Sequence, residues 1–245
     1  MKAMVLAAGL GTRLRPLTDT RPKALVELNG RTLLEITLAR LRQFGVREVI
    51  VNVHHFSDQV VDFLTRQRNP GMKIEISHEE VLLDTGGGLK KAAWFFLEAG
   101  NEEPFLLHNV DVISRIDLRK MFDFHVKHGA LATLAVQDRM SSRYLLFDNE
   151  GQLCGRRFEK EQRTEMVRFA QPLHPLAFCG IHVISPQFLR KMTEDGIFSI
   201  IEPYLRLASE NEKIVAFRAD GAYWRDLGTL DSLQKAAEDT AIAEL

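Results

Sequence analysis

Two glycines one residue apart follow a short apolar run in Leu6-Ala7-Ala8-Gly9-Leu10-Gly11-Thr12-Arg13-Leu14-Arg15-Pro16-Leu17-Thr18, and Pro22-Lys23 come soon after. Directly after a buried strand, glycines let the backbone turn tightly and bring its N–H groups to phosphate oxygens. Arg13 and Lys23 can neutralise the charge of those oxygens. The chemistry expected here is phosphate binding. The segment lacks the Gly-Lys-Ser/Thr ending of a P-loop and the third glycine of a dinucleotide fingerprint. A lone Gly-x-Gly would serve equally well as a turn, so the whole string carries the inference.

Asp111 closes Phe105-Leu106-Leu107-His108-Asn109-Val110-Asp111, just past an apolar run. In an open α/β sheet that carboxyl end is where ligands collect, and a carboxylate there can hold magnesium, a hard ion that prefers oxygen ligands. An isolated Asp at a strand end is more often a cap or turn former. Asp226, in Tyr223-Trp224-Arg225-Asp226-Leu227-Gly228-Thr229, starts a turn on the simplest reading, with Thr229 capping a final helix. The run Asp84-Thr85-Gly86-Gly87-Gly88 opens a helix, and small residues there allow a planar base to lie against the backbone. Glu79 and Glu80 upstream can cap, face solvent or touch ligand. His54 and His55 are adjacent, point opposite ways on an extended chain, and are assigned no role.

The elements that must position these residues follow a βαβα rhythm. Short apolar runs at 3–7, 48–53, 73–77 and 105–108 predict buried strands, with amphipathic helices over 33–44 and 57–68 between them. The second helix is expected to stop at Asn69-Pro70-Gly71. Beyond Asp111 the runs 131–136, 144–147, 153–158 and 177–184 predict strands that need not be parallel, with a turn at Asp148-Asn149-Glu150-Gly151. Helical spacing returns over 197–208 and 230–241. One α/β domain over 1–245 is expected, with no repeat able to build an appended β-helix.

The formal net charge of -1, from 32 basic and 33 acidic residues, argues against a nucleic-acid or acidic-membrane partner, so phosphate binding must be local. Cys154 and Cys179 lack zinc-ligand spacing and are read as reduced packing residues. The apolar start runs straight into the glycine loop and is read as a strand rather than a leader. No stretch approaches the roughly 20 apolar residues of a membrane span, which makes the cytoplasm the expected location. Nothing in the sequence fixes an oligomeric state.

The string from Gly9 to Lys23 resembles the signature of the sugar-phosphate nucleotidyltransferases, Gly-x-Gly-Thr-Arg-x-x-Pro-Leu-Thr followed by Pro-Lys, and further landmarks of that family recur in order along almost the whole chain. The resemblance implies a Rossmann-like three-layer α/β/α fold with a mixed, mainly parallel central sheet, its single domain having a nucleotide-binding part (1–111) and a sugar-phosphate-binding part (112–245). It places nucleotide over Ala7, Ala8, Gly9, Gly11 and Thr12, with Thr85, Gly86, Gly87 and Asn109 also in contact and the base read by the 85–87 segment. Arg13 would meet the departing pyrophosphate and Lys23 a phosphate at the reaction centre. Asp226, in a motif similar to Trp-x-Asp-x-Gly-Thr, would join Asp111 in binding Mg2+. Phe178-Cys179-Gly180-Ile181 and Phe158-Glu159-Lys160 resemble the sugar-phosphate elements, so Glu159, Lys160 and Gly180 are the expected sugar-phosphate contacts. Two departures stand out: Cys179 replaces a hydroxyl residue, and Val110 replaces the usual glycine before the metal aspartate, where valine would be strained if the backbone were left-handed.

The implied reaction joins a nucleoside monophosphate from a nucleoside triphosphate to a sugar 1-phosphate and releases pyrophosphate. The nucleophile is already anionic near neutral pH, so no side-chain base is required. The short form and Thr85-Gly86-Gly87-Gly88 favour UTP with N-acetylmuramate 1-phosphate, a cell-wall recycling step; mannose- or heptose-1-phosphate with GTP stays open. A regulatory subunit that binds sugar nucleotides without turnover is the alternative from another class, and a dinucleotide-dependent oxidoreductase a distant third.

Overall fold

A computed structural model describes residues 1–67, 71–98, 100 and 102–239. From β1 (Lys2–Leu6) the chain passes through a small hairpin, β2 (Glu27–Leu28) and β3 (Arg31–Thr32). It then alternates through α1 (Leu33–Gln43), β4 (Glu48–Val53), α2 (Ser57–Arg66), β5 (Lys73–His78), α3 (Asp84–Lys91) and β6 (Phe105–Asn109). Next come β7 (Val112–Ser114), α4 (Leu118–His128), β8 (Ala132–Gln137), the meander β9 (Arg143–Phe147), β10 (Leu153–Phe158) and β11 (Arg163–Met166), and the long β12 (His174–Ile184). The described chain closes through α5 (Pro186–Arg190), α6 (Ile201–Ser209), β13 (Ile214–Arg218), β14 (Trp224–Asp226) and α7 (Leu230–Ala237).

The central sheet runs β11-β10-β9-β12-β6-β1-β4-β5, with β8 branching from β12 and β13 pairing with β8. Strands β6, β1, β4 and β5 are parallel, whereas β12 runs antiparallel to β6, β8 and β9. Side-chain alternation divides the core between the two faces of the sheet. Ala3, Val5, Val49 and Val51 pack with Leu34 and Leu38 of α1, Val60 of α2 and Met121 of α4. Met4, Ile50 and Leu107 pack on the other face with Leu89 of α3 and Tyr204 of α6. Strands covered on both faces explain why the apolar runs are continuous rather than alternating. The expected three layers and mixed sheet are therefore present.

Thr32 caps α1 through a reciprocal pair with Glu35, and Thr229 caps α7 by accepting from the Ser232 N–H, as expected for it. The helix expected from 197 begins only at Ile201. The reason is tertiary: the Phe198 carbonyl accepts from Gly86 N–H at 3.0 Å and the Phe198 N–H donates to Leu83 O at 3.2 Å, which ties that residue to the start of α3 and keeps it out of the helix. The expected stop at Asn69-Pro70-Gly71 and the tail of the last helix lie outside the described residues, except for Gly71, which has φ +77. No helix among the described residues is long and apolar enough to cross a membrane.

Candidate functional site

The carboxyl ends of β1, β4 and β6 meet where Leu6 lies between Asn52 and Asn109 in register. The glycine loop leaves from there. A Cβ on the exposed Gly9 would meet nothing within 4 Å, so that position is open for a ligand to approach. Gly11 has φ +65, and a Cβ there would lie 2.9 Å from Thr18 Cγ2. The Thr18 hydroxyl donates to the Gly11 carbonyl at 2.9 Å, so the threonine of the motif pins the turn that the glycine permits.

A buried chain of hydrogen bonds ties this loop to the next one. The Ala7 N–H donates to Asn52 Oδ1 at 2.7 Å, Asn52 Nδ2 donates to Glu79 Oε1 at 2.7 Å, and the Leu83 N–H donates to Glu79 Oε2 at 3.0 Å. Asn52 and Glu79 are 3% and 1% exposed, so these bonds are made away from solvent. Glu79 is thus a tie between loops, while Glu80 is exposed. Asn52 was not singled out from the sequence; its signal is one polar residue in the apolar run of β4, at the sheet end where ligands gather.

Past this tie, Asp84 holds a left-handed backbone (φ +59) and accepts from the Thr85 N–H at 2.6 Å. The glycines that follow face inward. A Cβ on Gly86 would strike the Phe198 ring and lie 2.9 Å from its carbonyl oxygen, and one on Gly88 would lie 2.7 Å from Glu79 Oε1. Their small size seats α3 against the 196–198 segment and the Asn52–Glu79 pair. Thr85, and not Gly86 or Gly87, lines the hollow above the glycine loop, with Leu82, Asp84 and Ile197 beside it.

Asp111 and Asp226 converge. Strand β14 pairs antiparallel with β7, setting Asp226 opposite Val112, and the Leu227 N–H donates to the Asp111 carbonyl at 2.8 Å. Lys23 donates to Asp111 Oδ2, with both side chains 13% exposed. Partial burial, then the like charge of Asp111, raises Asp226 above the usual carboxylate range. Arg13 acts on Asp226 in the opposite sense, and its guanidinium occupies the space that a side chain at Gly228 would take. Two facing carboxylates are the donor set a hard divalent cation uses alongside substrate phosphates. The pair therefore fits such an ion, although no group of three or more His, Cys, Asp or Glu is placed to hold a metal among the described residues. Val110, the departure from the family pattern, has no positive φ and is 2% exposed in the core, so valine there carries no backbone strain.

Asn109 is shared by three adjoining hollows. The first holds Gly9, Lys23 and Asp111; the second, of about 390 Å³, lies between β9, β10 and the start of α6; the third holds Arg13, Arg139, Gly180 and Asp226. Gly180 has φ +72, and a Cβ there would sit 2.9 Å from both Asn109 Nδ2 and Val112 Cγ2, so only glycine fits. Glu159 pairs with Arg157 at 2.5 Å, and Lys160 is exposed on the turn after β10 and lines none of the three hollows. Arg143, Arg156 and Arg157 line the second hollow instead, and sequence reasoning missed them because strand register decides where they point.

The Trp224 indole N–H donates to Cys179 O at 2.8 Å, and Arg139 stacks 3.7 Å above the Trp224 ring while donating to Phe178 O at 2.8 Å. This clamp holds β14 against β12. Burial pushes the Cys179 thiol up to about 12, which leaves it an inert packing group. The His54 Nδ1–H donates to the Glu79 carbonyl at 2.8 Å, a structural contact. A hollow of about 630 Å³ at the opposite end of the sheet, near His125 and Ser185, is lined by Lys191 and Glu212, which pair with each other at 2.6 Å.

The α/β/α layers, the open glycine loop and the aspartate pair lie together at the carboxyl ends of the parallel strands, where open α/β sheets bind ligands. Residues 2–242 match the model of the nucleotidyl transferase family, and the chain belongs to that family. It is similar to an N-acetylmuramate alpha-1-phosphate uridylyltransferase of Caulobacter vibrioides, at 34% identity over 99% of this chain and 97% of that protein. It is also similar to a mannose-1-phosphate guanylyltransferase catalytic subunit beta of Danio rerio, at 32% identity over 93% of this chain and 61% of that protein. Among solved structures, HddC from Yersinia pseudotuberculosis complexed with GMP-PN shares the fold, with a TM-score of 0.76 and 21% identity over 97% of this chain and 98% of that one.

Proposed function

We propose that this protein transfers a nucleoside monophosphate from a nucleoside triphosphate to a sugar 1-phosphate, yielding a nucleoside diphosphate sugar and pyrophosphate. The observation that carries the reading is the approach of Asp226 to Asp111 beside a loop that presents Arg13 and Lys23. Magnesium bound by the two aspartates would shield the triphosphate and stabilise charge moving to the leaving group. The chain's own residues do the rest. The 7–12 loop, with Ala8, Gly9, Gly11 and Thr12, offers backbone N–H groups to phosphate oxygens while the Ala7 N–H is held by Asn52, and Thr85 and Asn109 border the nucleotide. Arg13 neutralises the departing pyrophosphate, and Lys23 exchanges its Asp111 partner for a phosphate oxygen when substrate arrives. Holding two mutually repelling phosphates in line is the main catalytic task, and no general base is required. Gly180 borders the third hollow and serves the sugar phosphate.

UTP and N-acetylmuramate 1-phosphate are the favoured pair, which would give the protein a cytoplasmic role in cell-wall sugar recycling; likeness to the Caulobacter vibrioides uridylyltransferase over nearly the full length of both chains supports this. Mannose- or heptose-1-phosphate with GTP is the second reading, favoured by likeness to the Danio rerio guanylyltransferase subunit. A panel pairing common nucleoside triphosphates with these sugar phosphates, read by pyrophosphate release, tests both. Highest kcat/KM with UTP and N-acetylmuramate 1-phosphate is expected; no release from any pair would overturn the enzyme reading.

A further inference from the structure

The hollow between β9, β10 and the start of α6 is lined by three arginines and one carboxylate, Asp84, and one of those arginines has no carboxylate partner among the described residues. Its guanidiniums belong to Arg143, Arg156 and Arg157, whereas Asp111 and Asp226 line the adjoining hollows, where the reacting phosphate must go. Arg156 is already paired with Glu165 at 2.8 Å and Arg157 with Glu159 at 2.5 Å. Arg143 has no carboxylate partner among the described residues, although it is exposed and free to reach one. It stands opposite Phe158 in the β9–β10 register, with its guanidinium 5.8 Å from the ring centroid. Arg156 and Arg163 lie 5.1 and 4.4 Å from the same ring. One aromatic ring thus gathers three arginines, of which Arg156 is paired with Glu165 and Arg163 lies 3.8 Å from Glu161, so Arg143 is the one left to meet an anion.

We propose that Arg143, with Arg156 beside it, makes this protein select sugar 1-phosphates that carry a carboxylate elsewhere on the sugar. The inference rests on the nucleotidyltransferase reading and names the determinant of its sugar specificity. One unpaired guanidinium matches one carboxylate, which it can grip through two parallel N–H···O bonds. A second phosphate would bring close to two negative charges against that single unpaired cation. A neutral sugar leaves Arg143 in water and gains nothing from it.

The test uses N-acetylmuramate 1-phosphate and N-acetylglucosamine 1-phosphate, which differ only in the carboxylate-bearing lactyl ether. Turnover with UTP and magnesium is measured for the wild type, Arg143→Gln and Arg143→Lys. Equilibrium binding of each sugar phosphate is measured on protein loaded with a non-hydrolysable UTP analogue. The expected wild-type preference for the acidic sugar is at least about tenfold in kcat/KM, the scale of one charge-assisted hydrogen bond. Arg143→Gln should shrink that preference by a similar factor, chiefly through KM for the acidic sugar, and Arg143→Lys should recover part of it. Equal wild-type use of the two sugars, or equal losses on both in Arg143→Gln, overturns the proposal and leaves the enzyme reading standing. Absence of turnover with every pair sinks the enzyme reading instead. Binding then decides: selective uptake of the acidic sugar that Arg143→Gln abolishes supports the proposal, and unselective or absent binding overturns it.

Discussion

The Leu227 N–H donates to the Asp111 carbonyl at 2.8 Å, so the residue after Asp226 is bolted to the backbone of Asp111 itself. Proximity of the two aspartate backbones is therefore built into the β7–β14 ribbon. Asp226, raised in pKa by partial burial and by its neighbour, is held ready for a cation. Replacing Asp111 or Asp226 with Asn should cost at least about two orders of magnitude in turnover, the scale of losing a major electrostatic element. Pyrophosphate release across a magnesium titration checks this; near-normal rates in either variant would remove that aspartate from the metal site.

The two ends of the glycine machinery should respond differently to alanine. Gly9→Ala adds a methyl group into open space, so thermal stability should change by no more than about 0.5 kcal/mol while KM for the triphosphate rises. Gly86→Ala drives a methyl group into Phe198 and should destabilise the fold by about 1–3 kcal/mol. Denaturant unfolding beside KM values for both variants separates the two roles, and a destabilised Gly9→Ala would contradict the open loop.

Asn52→Ala leaves the Ala7 N–H and a Glu79 oxygen without their buried partners. Each orphaned group costs about 1–3 kcal/mol. The variant should lose stability and also bind nucleotide more weakly, because the tie between the two loops is cut. Calorimetric titration with a nucleoside triphosphate on folded Asn52→Ala checks the second effect; full affinity would reduce Asn52 to a packing role.

Burial lowers His108 and His125 to about 4 and His182 to about 3, against 6.5 when unfolded. The unfolded chain therefore binds more protons between these values, so stability rises with pH through that window. It is fully present above about 6.5 and is lost on acidification toward 4, by up to ~1.4 kcal/mol per pH unit for each histidine. Urea midpoints measured from pH 7 to pH 5 should fall steeply. Flat midpoints would mean that the buried imidazoles take up protons without cost. His125 is far from the glycine loop and is held by Thr133 and Ser185, so His125→Gln should flatten the slope with nucleotide binding retained.

Much of this protein is local information. Continuous apolar runs marked β1, β4 and β6 because strands covered on both faces need no polar alternation. The Asp148–Gly151 turn was legible because Asp148 caps its own turn and Gly151 supplies a positive φ. The phosphate loop was legible because Gly11, Thr18, Arg13 and Lys23 are close along the chain, where spacing is geometry. What tertiary structure alone decided lies between distant segments. It holds Phe198 out of helix by pairing it with Leu83 and Gly86, gathers Arg143, Arg156 and Arg163 around Phe158, and leaves Lys160 outside the hollows that Asn109 joins. It also brings Asp226 to Asp111, through a ribbon whose two strands are three residues each. Such short strands have almost no sequence pattern, because the packing that stabilises them comes from the rest of the fold.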